Sequence, residues 1–313
     1  MEYYLSICIE IYMDSKDEKI VVVENGFNTC YIDSLLMGLF YTPSVIFNNM
    51  LENDPINPDF LYLQEMIKTN FIEQIRKDIS ISSDIVNEIR NYSFINGWKI
   101  NEPRELSEQQ DITEYYTFLS ENLNNQLIHI ERYTITEGIE SKNDVGEIEK
   151  IPFITLSTNE FEYETNIKNL LKVWLNDNPI DITRDTIENN IRITKNIKGL
   201  NVYKICNVPC IVPLFINRFT RIDGLKLLTK IDINKKIKLI DNSNFKWMVH
   251  SVICHSGDTL KSGHYYTILI NNASWYMFDD MSVPSLKEID MSNNQLIDKI
   301  KRECVFIIYK FYN

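Results

Sequence analysis

Helical and strand-like hydrophobic patterns occupy opposite ends of this 313-residue chain, and that segregation limits the folds open to it. From Cys30 the apolar positions Tyr31, Leu35, Leu36, Leu39 and Phe40 recur at helical spacing and stop before Pro43. Residues 59 to about 92 continue in the same period through LYLQEMIKTNFIEQIRKDI, and a third helical stretch is predicted from about Asp111 to Leu127. From Asn201 onward the apolar runs are strand-like: NVYKICNVPCIVPLFINRF, KKIKLID, KWMVHSVICHS, HYYTILI, SWYMF and CVFIIYKFY. An acid-rich stretch over 137–164 and one helical segment, IKNLLKVWL, lie between the two regions. The first 24 residues read as short strands, SICIEIYM and KIVVVE, around the turn DSKDE. Helices that come first and strands that come last predict an α+β fold, because a doubly wound sheet needs the two to alternate.

Composition narrows the function. Hydrophobic residues make up 44% of the chain, enough for the core of one large domain or two small ones. The balance of 32 basic and 44 acidic side chains, net −12, repels nucleic acid and anionic lipid and suits a basic partner. No apolar run approaches the roughly 20 residues that cross a bilayer, and the first residues lack the basic start of a signal peptide. Six cysteines at irregular spacing argue against a disulfide framework and for a reducing, intracellular and cytoplasmic setting. An excess of Asn, Ile, Lys and Tyr over Ala and Gly is what an AT-rich genome, viral or protist, would produce; if viral, the setting is the host cytoplasm. The chain has no P-loop, no G-x-G-x-x-G after a strand and no H-E-x-x-H. The basic run from Arg218 to Leu239 is expected to be a solvated strand edge whose lysines block aggregation.

One cysteine stands apart. In VENGFNTCYIDSLLMGLF, a polar run ending in Thr29 delivers Cys30 to the start of the first helix. Thiols react as thiolates, and a helix N-terminus favours negative charge. Asn25 and Asn28 upstream carry amide donors suited to an oxyanion. The segment fits a buried structural cysteine after a capping turn equally well. Cys8, Cys254 and Cys304 sit inside apolar strand patterns and are expected in the core.

A cysteine nucleophile needs a base, and the chain has four histidines. His129 and His250 lie in strand patterns without a polar cluster and are expected to be structural or surface residues. His255 and His264 fall together in CHSGDTLKSGHYYTILI, where a glycine-containing loop enters an aromatic strand. Fifteen residues after His264, Asp279 ends the next strand and Asp280 follows. An antiparallel hairpin turning at INNAS would bring one of these acids beside His264, where a carboxylate fixes the imidazole tautomer.

Taken together these blocks resemble the ubiquitin-specific proteases, the papain-like deubiquitinating enzymes. ENGFNTCYIDSLL is similar to their cysteine box, EQQDITEYYTFL to a thumb block, PLFINRF with KIDI to the strands entering the palm, and CHSGDTLKSGHYYTILINNASWYMFDD to their histidine box. The resemblance implies a papain-like α+β fold with a helical thumb over about 1–130, reduced fingers over about 131–210 and a β-rich palm over about 211–313. It implies Cys30 as nucleophile, His264 as base, Asp279 as orienting acid, Asn25 as oxyanion donor and Asp280 as a supporting acid. Asp111 and Glu114 would hold an arginine-containing ubiquitin tail, with Tyr265 and His255 lining its channel. Ubiquitin and ubiquitinated proteins are the implied partners of a monomer, with no organic cofactor. Zinc is not expected, because Cys206 and Cys210 are the only close pair and a tetrahedral site needs four ligands. Phe27 departs from the family's glycine and Asp33 from its asparagine. A ubiquitin-binding module without catalysis, or a thiol protease for a ubiquitin-like modifier, are the alternative readings.

Overall fold

The computed structural model describes residues 20–99, 101–102, 108–136, 139–142, 148–158, 162–188, 191–220, 224–240, 243–259, 262–271 and 274–312. The predicted strand SICIEIYM, with Cys8, lies outside them, as does the DSKDE turn; of the second predicted strand, Val23 forms one parallel bridge with Ile81.

The architecture is α+β. Helices Cys30–Leu36, Val45–Glu52, Leu61–Met66, Ser83–Ile95 and Ile112–Asn122 build one lobe, and all the long strands follow them. The first helix starts at Cys30 and widens after Leu36 into a π-helical stretch, Met37–Tyr41, that ends before Pro43. Widening weakens the helix's own hydrogen bonding, and side chains from elsewhere take four consecutive carbonyls. Ser251 Oγ donates to the Gly38 carbonyl at 2.6 Å and His250 Nε2 to that of Leu39 at 3.1 Å. Arg76 takes the next two, Phe40 and Tyr41. Thr267 Oγ1 reaches the Ser34 carbonyl at 2.8 Å. Three of these donors belong to the large sheet, so the cysteine helix is fastened directly to the palm.

That palm is an eight-stranded sheet. Lys246–Thr259 runs at its centre, with Ser262–Asn271, Ser274–Phe278 and Leu286–Ile289 in succession on one side. Cys304–Tyr312, Ile211–Asn217 and Ile154–Ser157 follow on the other, the last pair parallel and the rest antiparallel. Both faces are covered. Phe306 and Ile308 join the core beneath the helical lobe, while Ile307 and Tyr309 join a second core on the opposite face with Ile300 of the helix Asn294–Glu303. Burial on both sides is why these strands appear in the sequence as unbroken apolar runs.

The middle of the chain is more regular than its composition suggests. A five-stranded sheet, the fingers, contains Ile128–Thr136 and a long hairpin of Asn178–Glu188 with Ile191–Ile205. Parts of the acid-rich stretch are also strand, Ile139–Lys142 and Glu149–Ile151. The hairpin is laced by charge: Asp185 pairs with Arg192 and Thr194, and Asp181 with Lys198. The third predicted helix ends at Asn122, five residues early, because Leu123 is extended and Ile128 begins a strand.

Arg218 corrects the expected solvated edge. Its side chain is fully buried, and the guanidinium donates to the carbonyls of Cys304, Thr229 and Lys301, each at 2.7 Å, and of Leu227 at 3.3 Å. A planar five-donor fork can satisfy that many acceptors at once, and no other side chain can. Arg218→Met leaves four carbonyls short of a donor, two of them, Cys304 and Thr229, on buried residues. It should destabilise the protein by about 3–5 kcal/mol and lower Tm by about 10 °C, measured by differential scanning calorimetry.

Candidate active site

The loop before Cys30 is held in an uncommon shape. Phe27 and Asn28 have φ of 69° and 57°, the left-handed region. Asparagine tolerates that conformation better than most residues, whereas for phenylalanine it costs energy. Surrounding bonds hold it there. Arg90 donates to the Phe27 carbonyl at 2.8 Å and to Asn87 Oδ1 at 2.7 Å, and the Gly26 N–H donates to Thr29 Oγ1 at 2.8 Å. A Cβ on Gly26 would meet Asn87 Oδ1 at 2.9 Å, so the close approach requires glycine there. The backbone shape expected of the family's glycine is thus kept, with the Phe27 ring turned out to solvent at 70% exposure.

The opposite wall comes from the predicted hairpin. Thr267 pairs with Phe278, which returns the chain so that Asp279 stands beside His264. Asp279 Oδ1 lies 2.9 Å from His264 Nε2 and also accepts the Met281 N–H at 3.0 Å. With Nε2 engaged, Nδ1 is the nitrogen left to face Cys30, whose thiol acts on the ionisation of the ring. Asp280 Oδ1 is 3.5 Å from the same Nε2, and Asp280 Oδ2 accepts from Asn25 Nδ2 at 2.6 Å. Asn25 reaches this position because residues 21–23 run beside Ser285. The Ser285 N–H donates to the Val21 carbonyl and the Val23 N–H to Ser285 Oγ, both at 2.9 Å.

The electrostatics follow from these contacts. Burial alone would lower the His264 pKa, but hydrogen bonds to Asp279 and Cys30, with the Asp280 charge, push it up to about 10. The Asp279 carboxyl is partly desolvated, yet its bond to His264 holds it below the ordinary range. His255 is pushed down to about 4 by burial and by the neighbouring Lys226 ammonium, so it is neutral.

Cysteine, imidazole and two carboxylates converge at a helix–sheet junction. A family model described as ubiquitin carboxyl-terminal hydrolase matches residues 22–305. The chain belongs to this family. It is 23% identical to ubiquitin carboxyl-terminal hydrolase 15 of Schizosaccharomyces pombe over 317 aligned residues, 89% of this chain and 26% of that protein. A protein of Acanthamoeba polyphaga mimivirus assigned by name to the same hydrolases is 22% identical over 90% of this chain and 65% of its own. The chain therefore spans about a quarter of the first relative and under two thirds of the second. Among solved structures, the SAGA DUB module Ubp8/Sgf11/Sus1/Sgf73, bound to monoubiquitin or to ubiquitin aldehyde, superposes with a TM-score of 0.66 at 15% identity. The match covers all of this chain and 74% of that one. The fold is thus the papain-like fold of the ubiquitin-specific proteases.

Residues expected to meet a substrate fall into two groups in this family member. Asp111 caps the helix Ile112–Asn122 through Oδ1, which accepts from the Thr113 N–H and hydroxyl at 2.7 Å. Glu114, one turn along, is already paired with Lys99 at 2.7 Å. Tyr265 and His255 are almost wholly buried, so His255 backs the site and does not present surface. Its ring lies 4.7 Å from that of Tyr265, with Nε2 3.1 Å from Gln109 Nε2. A side chain on Gly263 would collide with the His255 ring, which is why glycine precedes His264. Thr29 and Arg90 were not foreseen. Arg90 lies in an ordinary helical pattern and acts on backbone 63 residues away, a contact that no local signal encodes. Among the described residues, His264, Asp279 and Asp280 are the one group of three potential metal-binding side chains close together, and hydrogen bonds within the site already engage all three.

A raised imidazole pKa contributes stability that is complete below pH 6.5 and is lost as pH climbs through about 10. Since Cys30 supports part of that rise, Cys30→Ala should bring the His264 titration to lower pH, followed by NMR of the ring protons. An unchanged titration would mean that thiol and imidazole are not coupled.

Proposed function

We propose that this chain is a cysteine-type deubiquitinase that hydrolyses the bond after the C-terminal glycine of ubiquitin. The observation that carries this reading is the convergence of Cys30 with His264, itself bonded to Asp279 at 2.9 Å, within a domain of the ubiquitin carboxyl-terminal hydrolase family. Ubiquitin as partner is supported by the similar Ubp8 modules being ubiquitin-bound.

In this mechanism Cys30 Sγ attacks the carbonyl carbon of the terminal glycine. The oxyanion forms next to the Cys30 backbone N–H and Asn25 Nδ2. The Asn25 amide has two N–H groups; Asp280 anchors one, which leaves the other to point at the oxyanion. His264, protonated opposite the thiolate, gives its proton to the departing lysine amine, and a thioester to Cys30 remains. His264 then takes a proton from water as that water attacks the thioester, releasing the ubiquitin carboxylate and the thiol. Asp279 holds the imidazole in orientation throughout.

Tail recognition falls to acids at the start of the helix Ile112–Asn122. Asp111 has one oxygen committed to the helix cap, so Oδ2 is the one to meet a guanidinium. Glu114 must exchange the Lys99 ammonium for the incoming arginine.

Ubiquitin carrying a C-terminal thiol-reactive group should form a covalent adduct with wild-type protein, mapped to Cys30 by mass spectrometry, and none with Cys30→Ala. Absence of an adduct from the folded wild-type protein would sink the reading. The double variant Asp111→Ala, Glu114→Ala should raise KM for a ubiquitin C-terminal amide about tenfold, with a smaller effect on kcat.

A further inference from the structure

Asp33 lies one turn into the cysteine helix, fully buried, directly behind the loop that carries Asn25. Its Oδ2 accepts from Thr29 Oγ1 at 3.0 Å, and its Oδ1 is buried with no donor. Asp280 mirrors it. Asp280 Oδ2 accepts from Asn25, while Oδ1 is buried without a hydrogen-bond donor, although His264 Nε2 stands 3.5 Å away. The two carboxyl groups are near neighbours, and each acts on the other's ionisation. Two ionised carboxylates in such contact would repel, and neither could donate.

We propose that Asp33 is a protonated positioning residue, donating its carboxyl proton to Asp280, which in turn orients Asn25 and flanks His264. The proton belongs on Asp33 for a geometric reason. Asp280 has the Asn25 amide and the His264 ring beside it, both favouring its ionised form, while Asp33 has only the Thr29 hydroxyl. The groups facing the pair from each element are Cys30 and Tyr31 on the cysteine helix, Tyr115 on the helix Ile112–Asn122, His264 at the sheet, and Asp279. Of these, Asp279 adds negative charge and Tyr31 and Tyr115 are neutral, so only His264 favours a second ionisation. Burial raises both carboxyls, and a neighbouring charge adds to it in each case, Asp280 at Asp33, which lies well above the ordinary range, and Asp279 at Asp280. The 2.6 Å bond from Asn25 is the short, charge-assisted bond that an ionised Asp280 would accept. An asparagine at this position could donate the same bond through Nδ2 while accepting from Thr29 through Oδ1, so the acid does with a proton what an amide does without one.

The importance assigned to that proton rests on the catalytic reading of the site, but its existence does not, so the two are tested separately. Isotope-edited infrared difference spectra of the wild-type protein against Asp33→Asn at pH 7 should show one protonated carboxyl band in the wild type that the variant lacks. No such band, or one that survives Asp33→Asn, overturns the assignment whether or not the protein cleaves ubiquitin. On a ubiquitin C-terminal amide, Asp33→Asn should keep kcat within about threefold. Asp33→Leu, similar in size but unable to donate, should lower kcat by about 10- to 100-fold, with KM moving less than about threefold. Wild-type kcat in Asp33→Leu, with folding checked by circular dichroism, would also overturn the positioning role.

Discussion

The site depends on how the cysteine helix is fixed to the sheet. Cys30 on one lobe and His264 on the other can act on each other only if the lobes keep a set distance, and side-chain packing alone tolerates small slides. Here the helix widens at Met37–Tyr41, and palm side chains take the carbonyls this leaves: Ser251 at Gly38, His250 at Leu39, with Thr267 at Ser34 one turn earlier. Hydrogen bonds are directional where apolar contacts are not, so three of them along one helix fix its axial position and its rotation. Cys30 then meets His264 as a consequence of register and not of loop placement.

His250 illustrates how the same residue type serves opposite ends. Buried and stacked on Phe47, with its pKa pushed down to about 3 by burial, it is neutral and donates to a carbonyl. His264, also largely buried, is pushed up to about 10 because its neighbours are two carboxylates and a thiol. Desolvation acts on both rings in the same direction, and only charged partners reverse it.

The fingers hold together by other means. Their long hairpin is crossed by pairs such as Asp181 with Lys198 and Asp185 with Arg192 and Thr194, all exposed. Exposed pairs of this kind contribute little each, so the register is set mainly by the backbone ladder and by the base of the sheet. There Ile128, Ile130 and Ile205 join the palm core.

The amino-acid sequence by itself determined the α+β order, the helix start at Cys30, the palm strands buried on both faces and the hairpin that joins His264 to Asp279. Each of these is written in local period or in short turn spacing, which a single strand or helix expresses before it packs. Tertiary structure alone decided which acid Asn25 would meet, that Arg90 would hold the Phe27 loop, that Arg218 would be buried, and that Asp33 would face Asp280. It also decided that Asn178–Glu188 would pair with Ile191–Ile205 and that Ile300 of the helix Asn294–Glu303 would join the second core. These features depend on pairings between residues tens to hundreds of positions apart, and burial, hydrogen-bond satisfaction and proton placement are properties of such pairs and not of any segment.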